Sequence, residues 1–164
     1  MHPLIQAKDK RDAYETKLEA CLLKKLIQLQ EGRPWAAVAL AYHHGLSFGP
    51  VVGILPLKDW ESGGGVDAFN PAEWEMYDEP VMLDDEVNSL AEGLEDLLES
   101  ASCDGVPRYG RQIHVRVATK LRAALIEAGC LVEHGLVYAT QYDQVDWEDN
   151  VLASNPPDAV SWAV

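Results

Sequence analysis

Between Pro3 and Glu31 apolar residues return every three or four positions. Tyr14, Leu18, Leu22, Leu26 and Leu29 fall on one stripe, which Cys21 and Ile27 widen. Lys17, Lys24 and Glu31 lie mostly outside it, and Gly32 followed by Pro34 is a stop signal. The spacing predicts a helix over 1–31. The period then changes. In Trp35 to Tyr42, Val38, Leu40 and Tyr42 alternate with small alanines, and a second apolar run, Phe48 to Leu57, follows the turn-like His43, His44 and Gly45. This predicts a β-hairpin over 35–57. Pro50 and Pro56 cannot donate ladder hydrogen bonds, so its second strand should be short or lie at an edge.

Residues 58–82 read as a long loop with Gly63-Gly64-Gly65, Pro71 and Pro80. Trp60, Phe69, Trp74 and Tyr77 should pin it to the body. Helical spacing resumes over 84–101, where Val87, Leu90, Ala91, Leu94, Leu97, Leu98 and Ala101 share a face. Asp84, Asp85 and Glu86 suit the start of that helix, and Glu92, Glu95, Asp96 and Glu99 fall opposite the apolar face. Residues 103–107, ending in Pro107, should close it. A third helix is predicted over 112–128 on Ile113, Val117, Leu121, Ala124 and Leu125, with Gly129 just past its end. Residues 131–142 form a strand region, one strand or two broken at Gly135. Residues 143–164 are a tail with a short helix starting near Asp146 and ended by Asn155-Pro156-Pro157.

Helix, hairpin, helix, helix and strand in that order indicate an α+β fold. The expectation is a single domain over 1–164: a small, mainly antiparallel sheet packed on one side by three main helices. A chain of 164 residues buries about 70% of its unfolded surface without staples. No apolar run approaches the roughly 20 residues of a membrane span. The N-terminus has no basic region leading into an apolar stretch, so no secretory signal is expected and the expected location is cytoplasmic.

Charge adds more than composition does. The net charge is −14, which disfavours nucleic acid and anionic membrane as partners and favours a basic protein. Residues 1–33 carry seven Lys/Arg and five Asp/Glu; residues 59–104 carry fifteen Asp/Glu and no base. Residues 108–127 carry five bases and one acid, and residues 128–164 six acids and no base.

Candidate chemistry is sparse. His43 and His44 are neighbours, which point to opposite faces of a strand and cannot easily hold one metal. His114 and His134 lack a partner at ligand spacing; His114, at the margin of an apolar helix face, is expected to pack rather than act as a base. Cys21, Cys103 and Cys130 are odd in number and widely spaced, so reduced thiols are expected. Asp143, Asp146, Glu148 and Asp149 offer oxygen ligands, but they lack the glycine and twelfth-position glutamate of a calcium loop, and a helix start accounts for them. No catalytic residue, cofactor or metal site is assigned.

The acidic block is the feature that points to a function. A single-sign surface with aromatics beside it suits a basic protein partner, since carboxylates speed encounter and aromatics anchor. The expected contact residues are Asp59, Trp60, Glu61, Asp67, Trp74, Glu75, Asp78, Glu92, Glu95, Asp96 and Glu99. The order of elements, the strand through Val38, Leu40 and Tyr42, the run from Tyr138 to Tyr142 and Asp143, and the turn at Ser154-Asn155-Pro156 resemble a bacterial domain family of small acidic proteins. The resemblance implies a toxin-immunity role and supplies no catalytic residues. The expected function is therefore a non-enzymatic immunity or adaptor protein. The alternatives are a metal-dependent hydrolase using the 143–149 cluster and a self-associating structural subunit.

Overall fold

The computed structural model describes residues 3–43, 49–62, 67–77, 83–100, 106–142 and 146–164. The first helix, α1 (Pro3–Leu29), buries Tyr14, Leu18, Leu22 and Leu26 completely, as their spacing requires. Strands β1 (Trp35–Tyr42) and β2 (Val51–Pro56) pair antiparallel, as expected of the hairpin. β2 is short, with Pro50 just before it and Pro56 as its last residue. Among the described residues its outer side pairs with the two-residue β3 (Met76–Tyr77), through Gly53 and Ile54.

The stretch expected to be one long loop is more ordered. It holds the short helix α2 (Leu57–Glu61), a 3-10 turn at Pro71–Glu73, and β3. Helix α3 (Asp85–Ser100) lies where predicted and buries Val87, Ala91, Leu94 and Leu98. Helix α4 (Val106–Glu127) starts six residues before the predicted 112. Pro107, read as a terminator, instead occupies the first turn of this helix, where a proline has no N–H to leave unpaired. Gly129 ends α4 as expected, with φ +72°. Its N–H bonds the Ile126 carbonyl at 3.0 Å, and the Cys130 N–H bonds that of Leu125 at 2.9 Å.

The strand region is one strand, β4 (Leu131–Gln141), with a register jump: Trp35 faces Leu131, but Ala37 faces Leu136. Gly135 sits in this bulge because a Cβ there would lie 2.6 Å from Leu131 Cγ. The Arg122 guanidinium donates to the carbonyls of Gly135 (2.9 Å) and Glu133 (2.7 Å). The tail holds the short helix expected near Asp146, α5 (Trp147–Ser154), and a second that was not expected, α6 (Pro157–Ala163). Pro157 was expected only to end a helix, yet it opens the next one from its first turn.

Sheet order is β3-β2-β1-β4, with β4 parallel to β1, so the α+β fold is built on a mixed sheet and not a mainly antiparallel one. Helices also cover both faces rather than one. Val38, Leu40, Ile54 and Val137 point into a core shared with α1, α3 and α4. Ala37, Ala39, Leu55, Leu136 and Tyr138 point into a second core with Ala68, Trp74, Val151, Ala159 and Ala163. All eight residues of β1 are buried, the signature of a strand covered on both sides. No helix among the described residues is long and apolar enough to cross a membrane.

Candidate functional site

The acidic residues of the middle block do not share one face. Glu92, Asp96 and Glu99 project outward from α3, and Glu95 is half-buried. Asp59, Glu61, Asp67 and Glu75 belong to segments packed on the opposite side of the sheet, through Leu57, Trp60, Phe69 and Trp74. Asp78 lies outside the described residues. The aromatics are largely used within the fold. Trp74 is only 4% exposed, donates its ring N–H to the Asp67 carbonyl at 2.9 Å, and meets the Tyr138 ring edge-on at 6.4 Å. Trp74 therefore has no ring face left for a partner. Trp60 is half-buried against Trp162 of α6, with ring centroids 5.7 Å apart. The Asp67 carboxylate accepts the Phe69 N–H at 2.8 Å, closing a local turn.

Part of the acidity is matched by α1. Lys25 pairs with Asp84 at 3.2 Å and Lys17 with Glu86 at 3.0 Å, and Lys10 donates to the Gly93 carbonyl at 3.2 Å. The Asp84 carboxyl is held below its ordinary range, chiefly by its hydrogen bond to Lys25. The base-rich first helix and the acid-rich third thus lie side by side. Glu92, Asp96 and Glu99 make no ion pair among the described residues.

A polar constellation that sequence reasoning missed gathers where β1 and β4 end side by side. The Tyr42 hydroxyl donates to Asp146 Oδ2, and Asp146 Oδ1 accepts the Gln141 N–H at 2.7 Å. Burial, with the Asp146 carboxylate next in importance, pushes the Tyr42 phenol up. The His114 ring stacks on Tyr42 at 4.8 Å and 3°. His114 is wholly buried, as expected of a packing residue, and its Nδ1–H bonds the Gly110 carbonyl at 2.7 Å. That bond leaves Nε2 as an acceptor, and it has no hydrogen-bond partner among the described residues. Burial lowers the His114 pKa to about 4. Arg111 Nε donates to Asn150 Oδ1 at 2.7 Å. Above this group, at the surface, His43 stacks on the exposed Tyr142 at 4.7 Å. The sequence marks the members singly, Tyr42 by even spacing on the face of Val38 and Leu40, His114 at the margin of an apolar helix face and Asp146 at a helix start, but nothing in it joins them.

Asp146 is thus a tether between two strand ends and the start of α5. Glu148 and Asp149 are exposed, and Asp143 lies outside the described residues. Among the described residues no group of three His, Cys, Asp or Glu side chains is placed to hold a metal ion. Cys21 and Cys130 are buried free thiols, each pushed up chiefly by burial; Cys103 and His44 lie outside the described residues. Comparison of the chain with family models, with curated proteins and with solved structures found no match in any of the three.

Proposed function

We propose that this chain is a non-enzymatic protein-binding protein of the immunity or adaptor kind, holding a basic partner on the outer face of α3. The observation that carries this reading is the division of labour along that helix. Asp84 and Glu86, where α3 meets α1, have lysine partners. Glu92, Asp96 and Glu99 stand exposed with none among the described residues. Like charges at this spacing repel and cost the helix a few tenths of a kcal/mol per pair. A cationic surface docked on them would reverse that cost and speed encounter. Where the partner is a toxin, covering its active site would neutralise it. With Trp74 buried, the contact reduces to the α3 acids and does not extend over the whole of 59–99.

The test is affinity purification of the tagged chain from its native host at low and at moderate salt, beside a variant carrying Glu92→Gln, Glu95→Gln, Asp96→Asn and Glu99→Gln. The expected result is a basic protein retained at low salt, weakened by salt and lost from the variant, whose melting temperature matches the parent's. Retention of nothing specific, or equal retention by the variant, refutes the α3 reading.

A further inference from the structure

A cavity of about 460 Å³ opens where α1 ends and α2 begins, within the size range of small-molecule sites. Its apolar part is formed by Leu29, Leu57, Met76 and the nearly buried Trp35. The frame is rigid. Pro34 and Pro56 have fixed φ, the Leu57 N–H bonds the Pro34 carbonyl at 3.2 Å, and the Trp35 N–H bonds the Cys130 carbonyl at 2.7 Å. The cavity is therefore formed before any ligand arrives.

The rim carries Arg33, Lys58 and Glu31, all exposed. Cations are scarce in this chain, and most are used internally. Lys8, Arg11, Lys17, Lys25, Arg116 and Lys120 pair with carboxylates, Lys10 and Arg122 donate to carbonyls, and Arg111 donates to Asn150. The side chains of Arg33 and Lys58 make no hydrogen bond or ion pair among the described residues. Two unpaired cations thus stand on the rim of an apolar cavity, in a protein with 27 acids available to pair with them.

We infer that this cavity binds a small amphipathic monocarboxylate, its apolar body against Trp35, Leu57 and Met76 and its carboxylate between Arg33 and Lys58. Two cations and one acid leave the rim with a net charge of +1, which one carboxylate neutralises. Arg33 can take both carboxylate oxygens through its planar fork, with Lys58 as a point charge beside it. Met76 and Leu29 are flexible enough to fit chains of different length. This site is separate from the α3 face, and neither depends on the other.

The test is calorimetric titration of the whole chain with decanoate and, separately, with 1-decanol, repeated on the Arg33→Gln/Lys58→Gln variant. Both substituted side chains are exposed, so the variant should melt with the parent. Decanoate should bind one to one and saturably. Decanol should bind the parent about tenfold or more weakly, and the variant should bind decanoate weaker by a similar factor, as expected for lost charge-assisted hydrogen bonds. Absence of saturable decanoate binding overturns the inference. So does equal binding of acid and alcohol, which would mean apolar adhesion alone. So does unchanged binding by the variant. If the variant is misfolded, the comparison of decanoate with decanol on the parent decides.

Discussion

The amide of Asn155 caps the open edge of the sheet. Its Oδ1 accepts the Val137 N–H at 2.9 Å, and its Nδ2 donates to the Val137 carbonyl at 2.9 Å and the Val151 carbonyl at 3.0 Å. Val137 is wholly buried on β4, the outer strand of the sheet order, so these backbone groups cannot turn to water instead. One side chain thus supplies the donor and acceptor that a further strand would supply. Asn155→Ala would leave both backbone groups buried and unpaired, and should lower unfolding free energy by about 2–4 kcal/mol. Asn155→Asp keeps the shape but sets a carboxylate oxygen against the Val137 carbonyl, and should recover none of that loss. Urea unfolding midpoints of the three proteins check this; an aspartate variant near parental stability would show that the donor half of the bridge is dispensable. Nothing in the sequence marked this residue beyond its place before Pro156-Pro157. Its partner lies 18 positions back on a strand, a distance no helical or strand period connects.

Among the elements, the long amphipathic helices were the most legible, because buried positions repeat along them. What their sequences could not show is which helix meets which. Arg116 and Lys120, one turn apart on α4, both reach Glu15 of α1, at 2.9 and 3.5 Å. The Glu15 side chain is 9% exposed, whereas the lysine side chain is 51% exposed. A carboxylate this buried depends on its cations, and Arg116 depends on it in turn. Glu15→Gln should therefore destabilise by about 1–2 kcal/mol, since it leaves charge-assisted bonds to a neutral acceptor. Lys120→Ala should cost less than about 0.5 kcal/mol, because its contacts with Glu15 and Glu19, both at 3.5 Å, are solvent-screened and long. Thermal melts of the two variants check the order; equal losses would mean that α1 is held on α4 by packing alone. The same logic explains part of the acidic block. A helix rich in Lys and a helix rich in Asp and Glu complement each other across the α1–α3 contact, and Glu92, Asp96 and Glu99 on the far side of α3 are left with no ion pair among the described residues. Shorter elements were less legible. α2, β3 and α6 have too few residues to express a period, and their prolines mark both ends and beginnings of structure.

Across the whole molecule, the α+β class followed from the order of elements, but the double covering of the sheet did not. Ala37 and Ala39 read as filler beside Val38 and Leu40; in the fold they are the close-packed floor of a second core, which a scale of hydrophobicity undervalues because alanine is small. The candidate site was legible only as a charge count. The Tyr42–Asp146 constellation joins residues from three elements, and only the fold brings them together. Its effect on the whole chain is felt through pH. Folded His114 resists protonation until about pH 4, whereas the unfolded side chain titrates near 6.5. Below pH 6.5 the unfolded state therefore binds the extra proton, and stability falls until about pH 4 is passed. At pH 5 the loss is about 2 kcal/mol relative to neutral pH. Relief of the self-repulsion of a chain with net charge −14 works the other way as the pH falls, although Asp84, whose carboxyl is held low by Lys25, loses its stabilising pair when it is protonated. The two are separated by His114→Phe, which keeps a flat ring against Tyr42 and removes the titration. Between pH 7.5 and 5.0 the parent should lose about 2 kcal/mol more than the variant, as read from urea midpoints at each pH. Parallel pH profiles would mean that His114 opens to water in the folded protein, and that the stacked pair at the strand ends is a mobile part of the molecule rather than a fixed one.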